Sequence, residues 1–540
     1  MIQANFAVLR ALVADAENAC KAGNLEQSTA LASAAASFAW YNHAGVFSDA
    51  ALERLVVDLG GRVPDARSAR FRSSSGSHER VVLHIATELY PTGGHTQMLA
   101  RWISDDSRSA HRVVVTRQGG QPIPAKVSAL LGAAPVCLDG RYRGDLRRAA
   151  ALRRHIQDAD IVVVHAHPDD IQPALALVGS AKPCIVVNHA SHVFWSGTSI
   201  ARTVLHLRRS AEELSIQRRG LPSDGGFVAN RPLVFPASSL TRADARAHFG
   251  LTDTHIVIAT AASGNKYQPL DDGDSLVELL TQAVNADQNL VVLAAGPPAE
   301  GQWLTAHEAT GGRICALGPL PDVAGLFAAA DIYVDSFPFA SITSLLEAGA
   351  HGVPLVSYRG HGPGCEVLGA DPPAIEDDVF YPNTADEFRQ VVSALAASAE
   401  LRHSRGETLR AKVAATHSST AWQEVVDSLY EFAQRPGAAQ GIVGTCDQAP
   451  QSGPLDRTVA QIQQRTGQAQ GVDAVYREVL SHMPLRERVR TWRRLKRSGT
   501  AVRPPELLRD VDLARLRQIR GSIRAFGARA GSPVRASSRA

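Results

Sequence analysis

Asp335-Ser-Phe-Pro-Phe-Ala-Ser-Ile-Thr-Ser-Leu-Leu-Glu-Ala-Gly-Ala-His-Gly-Val-Pro354 is the stretch from which the fold can be read. The apolar run Asp331-Ile-Tyr-Val-Asp335 just before it reads as a buried parallel strand. Pro338 stops the strand, and Ser341 and Thr343 offer hydroxyls where a helix can begin. Leu345, Leu346 and Ala348 suit a helix packed close to a sheet; His351-Gly352 ends it, and Val353–Ser357 is the next strand. A strand, a polar turn and a helix N-terminus form an anion site, because the first N–H groups and the helix dipole face outward together. A diphosphate suits that site. Glu347, one turn into the helix, is placed to accept hydrogen bonds from ribose hydroxyls. The competing reading is an ordinary βαβ unit with no ligand.

Working outward, the same alternation recurs on both sides. Strands are predicted at Arg80–Ala86, His111–Thr116, Ile161–His165 and Cys184–Asn188, and again at His255–Thr260, Leu290–Ala295 and Ile314–Leu317. Helices are predicted at Arg242–Phe249, Asp386–Ala399 and Leu401–Gln434. This divides the chain into a helical region 1–61, a linker 62–79, a lobe 80–235, a second lobe 236–435, a linker 436–456 and a basic helical region 457–540 with a disordered tail. The chain has 540 residues, beyond the reach of one hydrophobic core. The net charge is +3 but uneven: residues 451–540 hold 19 Lys and Arg against 7 Asp and Glu, +12, which leaves −9 elsewhere. The six cysteines are scattered without a C-x-x-C pair, so a reducing compartment is expected, without a disulfide framework or zinc site. Asp15 and Glu17 exclude a secretory signal, and Ser28–Ser48 is too rich in Ala and Ser for a membrane span. A cytoplasmic location follows.

Several residues stand where an open α/β sheet places its ligands, beyond the carboxyl ends of strands. Thr87–Gln97 contains Gly93, Gly94 and His95, but not the G-x-G-x-x-G spacing of a dinucleotide site. His165-Ala-His167 and Asn188-His189-Ala-Ser-His192 end two further strands. A neutral imidazole there can take a proton from an acceptor; the alternative is a set of packed, hydrogen-bonded histidines. No carboxylate or cysteine completes a metal site by spacing. Arg218-Arg219 reads either as a phosphate contact or as solvated surface. Ala261–Pro269 carries Lys266 in a loop after a strand, where a compact cation can offset charge on a leaving group. Leu485–Arg497 is a basic amphipathic helix, suited to an anionic leaflet or a partner. No nucleic-acid recognition motif accompanies the charge.

Two stretches, Lys266…Pro269 and Asp335…Pro354, resemble the donor site of bacterial GT-B glycosyltransferases, most closely the O-GlcNAc-transferase and HMW1C-type families. The Glu-Ala…Gly-Val-Pro ending is shared with the family-4 glycosyltransferases, whose additional glutamate is replaced by Phe339 here. The resemblance spans residues 80–435. It implies an α/β fold of the GT-B type, two Rossmann-like lobes facing a cleft, with helical additions at both ends. It further implies a metal-independent glycosyltransferase of polysaccharide biosynthesis, with a nucleotide-sugar donor, UDP-linked, as co-substrate and no cofactor. Lys266, Ser341, Thr343 and Ser344 would hold the diphosphate, Glu347 the ribose, and Leu317 would flank the base. His95 or His192 would sit nearest the acceptor, with Gly93, Gly94 and His189 close by. The acceptor would be a glycan, a lipid-linked molecule or a protein, with peripheral membrane contact through 485–497. A nucleotide-sugar epimerase of the same fold and a non-catalytic scaffold remain the alternatives.

Overall fold

The computed structural model describes residues 1–64, 80–91, 94–139, 141–142, 144–233, 240–271, 273–435, 448–480, 483 and 485–497. Two parallel sheets organise them. The first comprises β1 (Arg80–Ala86), β2 (Ser109–Val115), β3 (Val136–Cys137), β4 (Ile161–His165), β5 (Cys184–Asn188), β6 (Thr203–His206) and β7 (Gly226–Val228). Its order is β3-β2-β1-β4-β5-β6-β7. The second comprises β8 (Ile256–Ala261), β9 (Leu290–Ala295), β10 (Ile314–Gly318), β11 (Ile332–Val334) and β12 (Leu355–Val356), ordered β10-β9-β8-β11-β12. Every strand pairing is parallel, as expected of strands buried on both faces by crossover helices. β4 is buried at all five positions and β9 at all six.

In both sheets the order reverses beside the first strand, between β1 and β4 and between β8 and β11. A crevice opens at such a switch point because the flanking crossovers leave in opposite directions. The loops after β1, β4, β8 and β11 all carry residues singled out from the sequence.

The short strands β3, β6 and β7 have no counterpart among the sequence expectations. Thr203-Val-Leu-His206 and Gly226-Phe-Val228 are too short and mixed for a β-branched run to announce them. The helix expected over Leu401–Gln434 is two helices, Ala399–His417 and Ser419–Gln434. Ser418 is extended (φ −70°, ψ 164°), and its hydroxyl accepts from Ala421 N, capping the second helix. That helix crosses back onto the first lobe. Its Trp422 and Tyr430 pack on Trp102, whose Nε1–H donates to the Tyr430 hydroxyl at 2.8 Å.

The two ends of the chain fold against each other. Helix Leu25–Tyr41 is buried continuously from Ser28 to Ala39, and its neighbours share one core with the first lobe and with Val475, Val479 and Leu495 from the far end. Helix Pro454–Arg465 begins inside the stretch expected to be linker. Gln451 N donates to Gly45 O (2.8 Å), Asn42 Nδ2 to Gln470 O (2.9 Å) and Gln463 Nε2 to Trp40 O (2.8 Å). In helix Leu485–Arg497, Leu495 and Arg488 are buried, while Leu485 is exposed. Among the described residues no helix is long and apolar enough to cross a membrane. Most of the two linkers and the tail beyond 497 lie outside the described residues.

Candidate active site

β8 ends at Ala261, and the chain makes one tight turn over Gly264–Tyr267. Tyr267 is fully buried and its hydroxyl bonds that of Thr260 at 2.9 Å, pinning the turn to the sheet. Lys266 beside it then reaches across to the second switch-point loop, where Nζ donates to Ala340 O at 3.0 Å. Burial, with Arg231 and Arg208 nearby, lowers the Lys266 ammonium from its usual range.

Asp335, fully buried at the end of β11, shapes the other wall. Its Oδ1 accepts from Ser336 N and Ser341 N, each at 2.8 Å, which folds the turn between strand and helix. Its Oδ2 has no partner, and burial pushes the carboxyl up to about 6. Helix Ile342–Ala350 starts at Ser341 without a side-chain cap, so its first N–H groups are left for another acceptor. Thr343 Oγ1 accepts from Arg231 at 2.8 Å, an inter-lobe bond.

The first lobe contributes two arginines. Arg208, just after β6, donates to Ser191 Oγ (2.8 Å) and to Val367 O (2.6 Å) of the second lobe. Arg231 follows β7, and burial lowers its guanidinium to about 10. Arg208, Arg231 and Lys266 therefore converge, largely buried, on an inter-lobe cavity of about 270 Å³ whose floor includes Ser341, Ile342 and Thr343. A second hollow of about 280 Å³, lined by Gly94, His95, Gln97 and Met98, shares His189, Arg231 and Thr343 with the first.

The sequence-predicted residues fall into three groups. Lys266, Ser341, Thr343, His189 and His192 line the main cavity, and Gly94, His95, His189 and Thr343 line the adjoining hollow. His95 and His189 stack with ring centroids 4.1 Å apart. His192 lies against Phe339 at 4.5 Å, and burial together with Arg208 and Lys266 pushes its imidazole down to about 3. Ser344, Glu347 and Leu317 are outside both linings. Ser344 Oγ is 3.3 Å from Ser341 Oγ. Burial and the neighbouring Asp322 raise Glu347 to about 7. Gly93 lies outside the described residues.

The phosphate reading of Arg218-Arg219 does not hold. Arg218 pairs with Asp456, and Arg219 donates to the Ser191 and Val193 carbonyls, so both brace the fold. Sequence reasoning missed Arg208, Arg231 and the C-terminal wall, where Val459, Ile462, Gln463 and Gln468 face the cavity. The two arginines follow the two strands that the sequence did not announce. The C-terminal wall had no local signal at all. Among the described residues, no group of His, Cys, Asp and Glu is arranged to hold a metal ion.

Two parallel Rossmann-like sheets meeting across a cationic cleft define the GT-B architecture, and the solved structures that resemble this chain agree. A glycosyltransferase from Rickettsia africae superposes with TM-score 0.51 at 13% identity, covering 66% of this chain and 100% of the other. Anabaena Alr3699/HepE, solved in complex with UDP, superposes with TM-score 0.50 at 14% identity, over 65% and 99%. An O-GlcNAc transferase from Thermobaculum terrenum matches over 82% and 85% at 15% identity and TM-score 0.48. No protein-family model and no curated protein matches the sequence. The fold is GT-B, and the structural neighbours are glycosyltransferases.

Proposed function

We propose that this protein is a glycosyltransferase that moves a sugar from a UDP-linked donor to an acceptor seated in the adjoining hollow. One observation carries the reading: three largely buried cations, Arg208, Arg231 and Lys266, from both lobes, converge on an uncapped helix N-terminus at one cavity. Arg208 pairs with Asp371 at 3.6 Å and Asp335, its carboxyl pushed up to about 6, acts on Lys266, yet three buried cations at one cavity stay costly unless a further anion joins them. A diphosphate supplies two or more negative charges and enough acceptor oxygens to use the N–H groups and the three side chains together. UDP is favoured because the similar Anabaena protein is solved with it.

In the reaction the bond from sugar C1 to the diphosphate oxygen breaks, and C1 bonds the acceptor oxygen. Negative charge grows on the leaving diphosphate, where Lys266 and the arginines stand ready in a poorly hydrated site. These three cations supply the positive field, so no divalent ion is required. Glu347, raised toward neutrality, would meet the ribose as a hydrogen-bonding carboxyl. The acceptor side, walled by His95, His189 and Gln97, takes a hydroxyl-bearing glycan, lipid-linked molecule or protein. Calorimetry with UDP tests this directly: micromolar binding is expected, and absence of binding at millimolar UDP refutes it. Slow release of free sugar from UDP-sugars without an acceptor separates an enzyme from a binding scaffold.

A further inference from the structure

Four histidines cross the first sheet as a chain. His111 stands on β2, His84 on β1, His165 on β4, and His189 directly after β5, four neighbouring strands in sheet order. The register staggers them evenly. His111 pairs with Val82, two residues before His84, and His165 pairs with Ala86, two residues after it. A two-residue step keeps side chains on one face of a sheet, so the four rings climb a diagonal toward the cleft. Each ring bonds the next: His111 Nδ1 to His84 Nε2 at 2.9 Å, His84 Nδ1 to His165 Nε2 at 3.1 Å, and His165 Nδ1 to His189 Nε2 at 3.1 Å.

The far end fixes the direction. His111 Nε2 lies 2.9 Å from the Asp106 carbonyl, which only accepts, so that nitrogen carries the proton. His111 Nδ1 must then accept from His84 Nε2–H, His84 Nδ1 from His165 Nε2–H, and His165 Nδ1 from His189 Nε2–H. His189 is left with a bare Nδ1 that has no hydrogen-bond partner among the described residues, on a ring that lines both hollows. Trp102 stands edge-on to His84 and His165, each at 5.8 Å, and keeps the chain dry. The Asp106 carboxylate lies at the distal end, with Oδ2 3.5 Å from His111 Nε2 and 2.9 Å from the donating Tyr430 hydroxyl.

We propose that His189 takes the acceptor's proton at Nδ1 and that His165, His84 and His111 relay it to Asp106. The proposal rests on the sugar-transfer reading. As the acceptor oxygen bonds C1, its proton passes to His189 Nδ1. The Nε2 proton of His189 moves to His165 Nδ1, and the same exchange passes through His84 and His111, whose Nε2 proton goes to the Asp106 carboxylate. One proton enters and one is stored on Asp106, with every ring neutral again and in the opposite tautomer; His111 Nε2, now bare, gives up its bond to the Asp106 carbonyl and accepts from the protonated carboxyl instead, which closes the 3.5 Å gap to Oδ2. When product leaves and water fills the hollow, the reverse passage returns the proton to the cleft and resets the tautomers without turning a ring. The relay answers a difficulty of the site: burial and the adjacent His95 and His165 make His189 alone a poor base, and a carboxylate at the far end gives its proton somewhere to go. His165, His84 and His111 are positioning residues, because only His189 reaches the cleft.

Two measurements on the full chain test the relay. Long-range proton–nitrogen NMR of ¹⁵N-histidine protein is expected to show His189 protonated at Nε2 and bare at Nδ1; a proton at Nδ1 overturns the proposal. In His111→Gln the amide still donates to Asp106 O and accepts from His84, yet cannot pass a proton. UDP binding is expected to stay within about twofold while transfer falls about a hundredfold, the lower end of the range for proton-transfer catalysis. The solvent isotope effect is expected to change from a curved proton inventory to a linear one. Wild-type transfer rates in a folded His111→Gln overturn the relay, and if the variant fails to fold, the wild-type tautomer spectrum decides. Failure of the wild-type protein to bind UDP would instead remove the sugar-transfer reading, with the tautomer chain still measurable.

Discussion

Lys266→Ala separates a donor-binding lysine from a structural one because the two roles predict opposite signs. Lys266 is largely buried, its hydrogen bond is to the Ala340 carbonyl, and its charged neighbours oppose one another: Asp335 favours the ammonium, whereas Arg231 and Arg208 disfavour it. In the empty protein, removal forfeits a hydrogen bond worth about 1 kcal/mol but relieves like-charge crowding of similar size, so the unfolding temperature should move by no more than about 2 °C. With a diphosphate bound, the ammonium makes a charge-assisted bond worth about 1.5–3 kcal/mol. Its loss should weaken UDP by roughly ten- to hundredfold, since 1.4 kcal/mol is a factor of ten. Calorimetric titration of UDP, paired with thermal unfolding with and without UDP, reads both terms. UDP affinity within twofold of wild type would refute the argument. So would a loss of stability in the empty protein that matches the loss of affinity.

Three further outcomes follow from the same geometry. Glu347 has its folded carboxyl raised from 4.5 to about 7, so its stabilising contribution is complete below about 4.5 and is lost as pH rises through 7; Glu347→Gln should therefore gain stability relative to wild type as pH rises from about 4.5 to 7 in denaturant titrations, and a constant difference over that window would contradict the buried carboxyl. UDP binding and sugar transfer should be unchanged in excess EDTA, because Lys266 and the two arginines supply the charge; a tenfold loss would show that an ion is needed. Asp456→Ala removes the acceptor shared by His43 (2.8 Å) and Arg218 (2.7 Å), both largely buried, a kind of change that costs about 3–5 kcal/mol; amide exchange over 454–468 should accelerate, and unchanged exchange would show that the segment is held by something else.

The sheet architecture and its two switch points were readable because parallel strands buried on both faces write themselves as apolar runs such as Leu290–Ala295. The turn between β11 and helix Ile342–Ala350 was readable because Pro338 stops the strand and the small hydroxyl residues at Ser341–Ser344 suit a helix start. Arg208 and Arg231 were not, because β6 and β7 are four and three residues long, too short to mark where a strand ends. The histidine chain was half legible. His165, His167, His189 and His192 stood out as clusters, whereas His84 and His111 were hidden inside strands, and only the sheet order brings all four rings of the chain into line. Arg218-Arg219 misled for the opposite reason: two adjacent cations look like a ligand site in sequence, yet both are spent on carbonyls and on Asp456. Glu347 and Leu317 belong to the same stretches of sequence but lie outside the linings of the two hollows.

The chain's two ends alter how the cleft can work. GT-B lobes hold their donor between them, so any opening must separate Arg208 and Arg231 from Thr343 and the Val367 carbonyl. Helix Pro454–Arg465 bridges the same gap. On the first-lobe side, Asp456 binds Arg218 and the N-terminal residue His43 in near-complete burial. On the second-lobe side, Leu455 and Val459 pack in one buried cluster with Cys365, Val367 and Leu368, against Phe339, and Arg465 meets Asp271 in a more exposed pair. Helix Pro454–Arg465 therefore ties the two lobes together, with buried contacts on both sides. Val459, Ile462 and Gln463 carry it to the main cavity, which they line. The C-terminal helical region that the sequence presents as an addition to two lobes is therefore a wall of the main cavity, whose shape is set by residues from three distant parts of the chain.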